Sequence, residues 1–100
     1  MSATVRIEND IALVTLDDGK ANAISLDLLG AANAALDEAE AKAKVIVLAG
    51  RPERFSAGFD LKFLATADPV NRAKLVNGGG RLALRLFTSD KPVVIACTGH

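Results

Sequence analysis

The alternation of apolar and polar positions at the start of the chain predicts a β-hairpin. Val5 and Ile7 alternate with polar neighbours, and Ile11, Leu13 and Thr15 continue the spacing of two residues in the next segment. Asn9 and Asp10 stand between the two halves, and both residue types tolerate the positive φ angles of a tight turn. The next residues, 16–23, are rich in turn formers and predict a loop.

A helical period follows this loop. The apolar positions at helical spacing are Leu28, Ala32, Ala35, Leu36 and Ala39. Ser25 is a suitable N-cap. Asp27 lies in the first turn, where a negative charge interacts favourably with the helix dipole. The pattern predicts a helix that ends at about Ala41.

Two continuous apolar runs, 45–49 and 93–97, predict strands that are buried on both faces. Between them, Asp68 as N-cap and Pro69 at the first helical position predict a second helix that ends at about Phe87. Glycines 78–80 interrupt its apolar stripe and predict a kink or the close approach of another backbone. The order strand, helix, strand, helix, strand predicts an α/β layer with parallel strands.

The segment 54–62 is the part of the chain that suggests chemistry. It follows the first apolar run after a break at 50–52, and the residues after Gly58 have the pattern of a short helix. A helix start presents backbone N–H groups that have no partner within the helix. Such groups stabilise a negative charge that develops on oxygen, so this segment is a candidate anion site.

The charge balance limits the kinds of partner. Lys and Arg number twelve, as do Asp and Glu, so the formal net charge is zero. Proteins that bind nucleic acids or anionic membranes normally carry an excess of Lys and Arg. We therefore expect neither as a partner. No apolar run approaches transmembrane length and the N-terminus has no signal-peptide pattern, so a cytoplasmic location is the default expectation.

The single cysteine gives no disulfide framework and no zinc ligand set. Cys97 ends an aliphatic run, which favours a small residue in a buried strand over a reactive thiol. The sequence therefore predicts no metal site.

Five segments together resemble the crotonase superfamily, the enoyl-CoA hydratase/isomerase group. In chain order they are 14–17, 20–25, 45–50, 55–62 and 91–96. Their order and spacing agree along essentially the whole chain. The resemblance implies a crotonase-like ββα superhelix, an α/β fold. Residues 1–100 would form its N-terminal portion, and the second half of the fold would be absent from this chain.

The resemblance also implies acyl-CoA thioester substrates, no metal or other cofactor, and assembly as a homotrimer or a dimer of trimers. Two backbone N–H groups would stabilise an enolate oxygen, and by motif position the first is that of Phe59. The residues implied in substrate binding are Ala21, Ala23, Ala57, Gly58, Phe59, Asp60, Leu61 and Lys62. The second donor and the general acid and base would lie beyond His100.

Several polar residues have a structural interpretation beside the functional one. Asp60 is a candidate catalytic carboxylate, but a helix cap is favoured. Ser56 has no Gly-x-Ser-x-Gly context and no internal histidine as base, so a turn serine is favoured over a nucleophile. Lys20 and Lys62 are candidates for contacts with CoA phosphates, although exposed lysines are usually only solvated. Residues 51–54 are interpreted as an exposed loop.

The function favoured by these features is that of an enoyl-CoA hydratase, which adds water reversibly to a 2-enoyl-CoA. Another reaction of the same superfamily stays open, as isomerase, thioester hydrolase or decarboxylase. A non-catalytic acyl-CoA-binding or assembly subunit is the alternative from a different class.

Overall fold

The computed structural model describes residues 3–19, 22–51 and 60–96. The strands and helices of these ranges are, in chain order, β1 (Ala3–Glu8), β2 (Ile11–Leu16), α1 (Leu26–Lys42), β3 (Val45–Ala49), α2 (Leu61–Thr66), α3 (Pro69–Phe87) and β4 (Val93–Ala96). The strands form one sheet in the order β1-β2-β3-β4. The α/β class predicted from the sequence is confirmed.

The hairpin turns where the sequence predicted. Asn9 and Asp10 adopt φ angles of 51° and 66°, and β1 runs antiparallel to β2 with Glu8 opposite Ile11. Asn and Asp reach this left-handed region more easily than most residues because their short polar side chains bond locally. The turn therefore fixes the register of the first two strands.

Strands β2, β3 and β4 are parallel neighbours. Thr15 pairs with Ala49, and Ala49 pairs with Ala96. These residues lie at or near the carboxyl ends of their strands, so all three strands end at the same edge of the sheet. The carboxyl edge, as we call it, carries the loop after β2 and the segment after β3.

The core lies between α1 and one face of the sheet. The buried residues of this cluster include Val14, Leu28, Ala32, Leu36, Ile46 and Leu48. Ser25 caps α1 as predicted, since its Oγ accepts the N–H of Leu28 at 3.1 Å. The helix ends at Lys42, one residue beyond the predicted end.

The prediction that β3 and β4 are buried on both faces is wrong for the described residues. Val45 and Val47 of β3 are only half-buried, and Val94 of β4 is 55% exposed. In β4, Ile95 is also exposed, although its register with Leu48 places it on the α1 face. Helix α1 packs mainly on β1 and β2, so β4 lies beyond its cover.

Helix α3 starts as predicted and continues through its glycines. The Oδ1 atom of Asp68 accepts the N–H of Asn71 at 2.8 Å, and Pro69 is the first helical residue. A Cβ atom at position 78 would lie 2.9 Å from Cδ1 of Leu29 on α1. The close approach at Gly78 is therefore to a side chain, not to another backbone as the sequence suggested.

Arg85 joins α3 to α1 through three side chains. Its guanidinium donates to Asp37 Oδ1 at 2.6 Å, to Asn33 Oδ1 at 3.0 Å and to Glu40 Oε1 at 3.2 Å. The hydrogen bond with Glu40 is the main cause that raises the pKa of Arg85 above its ordinary value; burial opposes the rise and Asp37 adds to it. A raised pKa means that this stabilisation is present below the pKa of the unfolded chain and is lost only at strongly alkaline pH.

The connection from α3 to β4 is fastened to the same helix. The Lys91 ammonium donates to the carbonyl oxygens of Glu40 and Ala43. The last carbonyls of a helix have no partner within it. A positive charge at this end of the helix also interacts favourably with the helix dipole. Lys91 therefore closes the end of α1 and holds the start of β4 beside it.

We predict that Arg85→Met lowers the free energy of unfolding by about 1–2 kcal/mol. The side chain is 25% exposed. Hydrogen bonds to charged groups contribute about 1.5–3 kcal/mol, and the bond to Asp37 adds little to this total because Asp37 is exposed. The matched control is Arg81→Met, an exposed arginine of the same helix, with an expected change within about 0.5 kcal/mol. Chemical denaturation measures both variants, and equal losses would contradict the role given to Arg85.

Candidate functional site

The carboxyl edge carries part of the segment that suggested chemistry and the loop to which the resemblance assigns Ala21 and Ala23. One is the loop after β2, residues 17–25, and the other is the segment after β3, of which Gly50, Arg51 and Asp60 are described. In open α/β sheets, ligands bind outside the carboxyl ends of the strands. This edge is therefore the candidate site.

Asn22 holds the first loop against the end of β2. Its side chain is fully buried, with 0% exposure, and its Nδ2 donates to the carbonyl oxygen of Leu16 at 2.6 Å. Its Oδ1 accepts the backbone N–H of Asp18 at 2.9 Å, and the Asp18 carboxylate accepts the backbone N–H of Asn22 at 3.1 Å. These bonds close the loop on itself and attach it to the strand.

Two contacts connect the first loop to the segment after β3. The carboxylate of Asp17 pairs with Nε of Arg51 at 3.3 Å. The backbone N–H of Asp60 donates to the carbonyl oxygen of Ile24 at 2.9 Å. Of the segment 51–54, interpreted from the sequence as an exposed loop, the structure describes Arg51, whose side chain is about one-third exposed and forms this ion pair. The remaining residues of that segment lie outside the described part of the chain.

Asp60 caps the helix that follows it. Its Oδ1 accepts the N–H of Phe63 at 3.2 Å, and the first helical residue is Leu61. The preference for a helix cap over a catalytic carboxylate is confirmed in geometry. Asp60 thus contributes twice to the site: its side chain fixes the start of α2, and its backbone N–H fixes that start to the first loop.

The other residues implied in substrate binding divide into two groups. Ala23 is half-buried beside Ile24, while Leu61 is 76% exposed and Lys62 is exposed on α2. The residues of this set that lie outside the described part of the chain are Ala21, Ala57, Gly58 and Phe59. Lys20, Ser56 and Cys97, which the sequence analysis considered for other roles, lie outside it as well. Their roles stay predictions.

The sequence did not single out Asn22, Asp17 or Arg51 as residues that build the edge. All three stand among turn formers or charged residues, which predicts a loop but not its internal bonds. The available signal was an asparagine inside a turn-rich segment, since asparagine often takes the positive φ that Asn22 adopts, 54°.

The described residues include neither a cluster of metal ligands nor a helix that could span a membrane. Within the ranges 3–19, 22–51 and 60–96, no three His, Cys, Asp or Glu side chains could together hold a metal ion. No described helix combines the length and apolar character needed to cross a membrane.

Comparison with known proteins finds relatives that are described as enoyl-CoA hydratases or isomerases. The profile of the enoyl-CoA hydratase/isomerase family matches residues 6–100. A protein of Bacillus subtilis (strain 168), described as a probable enoyl-CoA hydratase, is 29% identical over 99 residues, which are 96% of this chain and 38% of that protein.

Solved structures agree over the whole chain. An enoyl-CoA hydratase from Mycobacterium ulcerans Agy99 is 38% identical with a TM-score of 0.96, and the match covers 100% of this chain and 44% of that one. A probable enoyl-CoA hydratase from Mycobacterium tuberculosis H37Rv is 39% identical with a TM-score of 0.96, covering 100% and 43%. The predicted crotonase-like fold is confirmed, and the chain spans less than half the length of these relatives.

Proposed function

Because the chain belongs to the enoyl-CoA hydratase/isomerase family, we propose that its carboxyl edge forms part of an acyl-CoA thioester site. The favoured reaction is the reversible hydration of a 2-enoyl-CoA. The proposal requires no metal or other cofactor and no nucleic-acid or membrane partner. It places the protein in the cytoplasm as a homotrimer or a dimer of trimers.

The observation that carries the proposal is the hydrogen bond from the Asp60 N–H to the Ile24 carbonyl, 2.9 Å long. It joins the loop of Ala23 to the residue that directly follows Phe59 in the sequence. The resemblance assigns substrate contacts to both of these segments. Their meeting at one edge is the arrangement that a single thioester site needs.

The chemistry needs a fixed donor for one oxygen. During hydration, the oxygen of water bonds to C3 of the enoyl group while water loses one proton to a general base, and the electron pair of the C2–C3 double bond moves toward the thioester oxygen. The enolate pair then returns to C2, which gains a proton, so that one molecule of water has been added in total. The backbone N–H of Phe59 would donate to that oxygen while it carries negative charge. Removing one such donor typically costs about 10²–10³ in rate.

An isomerase reaction is the second candidate, because a separate structure of the Mycobacterium tuberculosis relative describes it as an enoyl-CoA isomerase. In that reaction a proton leaves C2 of a 3-enoyl-CoA and a proton returns at C4, through a similar enolate. Assays with a 2-enoyl-CoA and a 3-enoyl-CoA distinguish the two candidates. Thioester hydrolysis, decarboxylation or binding without turnover are the remaining outcomes of these assays.

Lys62 is the candidate for contact with the phosphates of coenzyme A. It lies on the exposed side of α2, two residues after Asp60. An ammonium group at this position adds a positive charge next to the helix start. We place the contact at the rim of the site, where solvent screens it.

We predict that Phe59→Ala retains measurable turnover of an acyl-CoA thioester and that Phe59→Pro loses most of it. Alanine keeps the backbone N–H, whereas proline removes it. The measurement is steady-state turnover in the protein that carries this chain, with circular dichroism to confirm that both variants fold. Equal activity in the two folded variants would contradict the assignment of this N–H.

We further predict that Lys62→Gln weakens the binding of an acyl-CoA by about 1.4-fold to fivefold, because an exposed ion pair contributes about 0.2–1 kcal/mol. The loss should shrink as salt is added. The matched control is Lys44→Gln, an exposed lysine beside Asp10 at the opposite edge of the sheet, for which calorimetry should show unchanged affinity. Equal effects of the two substitutions would remove Lys62 from the site.

A further inference from the structure

We propose that Asn22 is a positioning residue for this thioester site, acting through the first loop on the start of α2. The inference rests on the proposed function and adds to it a residue whose side chain contacts no substrate. It links three observations at the carboxyl edge: the buried amide of Asn22, the Ile24 carbonyl, and the Asp60 N–H.

The buried amide is the first observation. A polar side chain with 0% exposure is costly to bury unless its groups are hydrogen-bonded. Asn22 meets this condition with bonds to the Leu16 carbonyl and the Asp18 N–H. Its φ of 54° is left-handed, where asparagine and glycine fit better than other residues. Position 22 therefore needs a residue that accepts a positive φ and a side chain that forms these two hydrogen bonds.

The route from Asn22 to the candidate donor is short. Leu16 is the last residue of β2, so the amide of Asn22 fastens the loop to a strand in the middle of the sheet. Two residues further on, the carbonyl of Ile24 accepts the N–H of Asp60. Asp60 directly follows Phe59 in the sequence. A shift of the loop thus reaches Asp60, the residue next to the proposed donor, through a few covalent and hydrogen bonds.

The consequence concerns catalysis more than folding. A fixed N–H donor acts only when it lies at hydrogen-bond distance from the oxygen that gains charge. A displacement of about 1 Å can cost about 10²-fold in rate. A donor that works mainly in the transition state changes kcat and kcat/KM equally and leaves KM nearly constant. Loss of the Asn22 bonds should show this pattern.

The test uses Asn22→Gly in the protein that carries this chain. Glycine keeps the positive φ and removes the side-chain hydrogen bonds to Leu16 and Asp18, so backbone strain is not part of the effect. Hydrogen exchange of the Asp60 amide reports the bond to Ile24, and the buried Ile46 amide of β3 reports the stability of the sheet. Turnover of a 2-enoyl-CoA gives kcat and KM. The matched control is Asp68→Ala, which removes the N-cap of α3 and so lowers stability away from the carboxyl edge.

We expect Asn22→Gly to speed exchange at Asp60 at least about tenfold relative to Ile46. We also expect it to lower kcat about 10- to 100-fold with KM within about threefold. Asp68→Ala should leave both the Asp60 exchange ratio and kcat within about twofold of the unsubstituted protein. If Asn22→Gly fails to fold, Asp18→Ala removes the acceptor of the Asn22 N–H and should change both quantities in the same direction by a smaller factor.

Two results would overturn the inference. In an active protein, an unchanged exchange ratio at Asp60 or an unchanged kcat in the folded variant refutes the positioning role and leaves the proposed function standing. An unsubstituted protein that neither binds nor converts acyl-CoA thioesters refutes the proposed function itself, and the positioning role with it.

Discussion

The parallel pairing of β2 with β3 is the constraint on which the rest of the structure depends. Two parallel neighbours cannot be joined by a tight turn, so the chain must cross back over the sheet. Helix α1 makes this crossing and buries its apolar side on the sheet, with Leu36 and Ile46 almost fully buried. Because the two strands run in one direction, the loops that follow them leave from the same edge. The position of the candidate site follows from this pairing.

Short polar side chains then fix the backbone at the points where helices and loops begin. Ser25, Asp60 and Asp68 each accept an N–H from the first turn of a helix, and Asn22 provides the corresponding bonds inside a loop. On the other side of α1, Arg85 and Lys91 attach α3 and the following connection. Contacts at the carboxyl edge thus hold the first loop and the start of α2, while contacts toward the other end of α1 hold α3 and the start of β4.

The local part of the structure could be predicted from the sequence. The hairpin at Asn9 and Asp10, the caps at Ser25 and Asp68, and the aliphatic run of β3 depend on neighbouring residues, so their patterns were sufficient. The family resemblance supplied the fold and the expected site, which spacing alone does not contain.

The parts that were not predicted depend on residues far apart in the chain. The ion pair between Asp17 and Arg51 and the contacts of Arg85 with α1 require the folded arrangement. The exposure of one face of β3 and of residues on both faces of β4 was missed because an aliphatic run predicts a strand without showing what packs on it. The burial of Asn22 was missed because a turn-rich segment indicates a change of direction but not which amide turns inward.

Binding of an acyl-CoA at the carboxyl edge is tested most directly by titrating the isotope-labelled protein with a saturated acyl-CoA and following the backbone amide resonances of the protein. A saturated thioester cannot be hydrated, so binding is observed without turnover. We expect the amide resonances of Ala23, Ile24 and Asp60 to Lys62 to shift, while those of Glu8 to Asp10 at the opposite edge stay unchanged. Shifts confined to the opposite edge or to the outer surface of α3, or no shifts at all, would contradict this expectation.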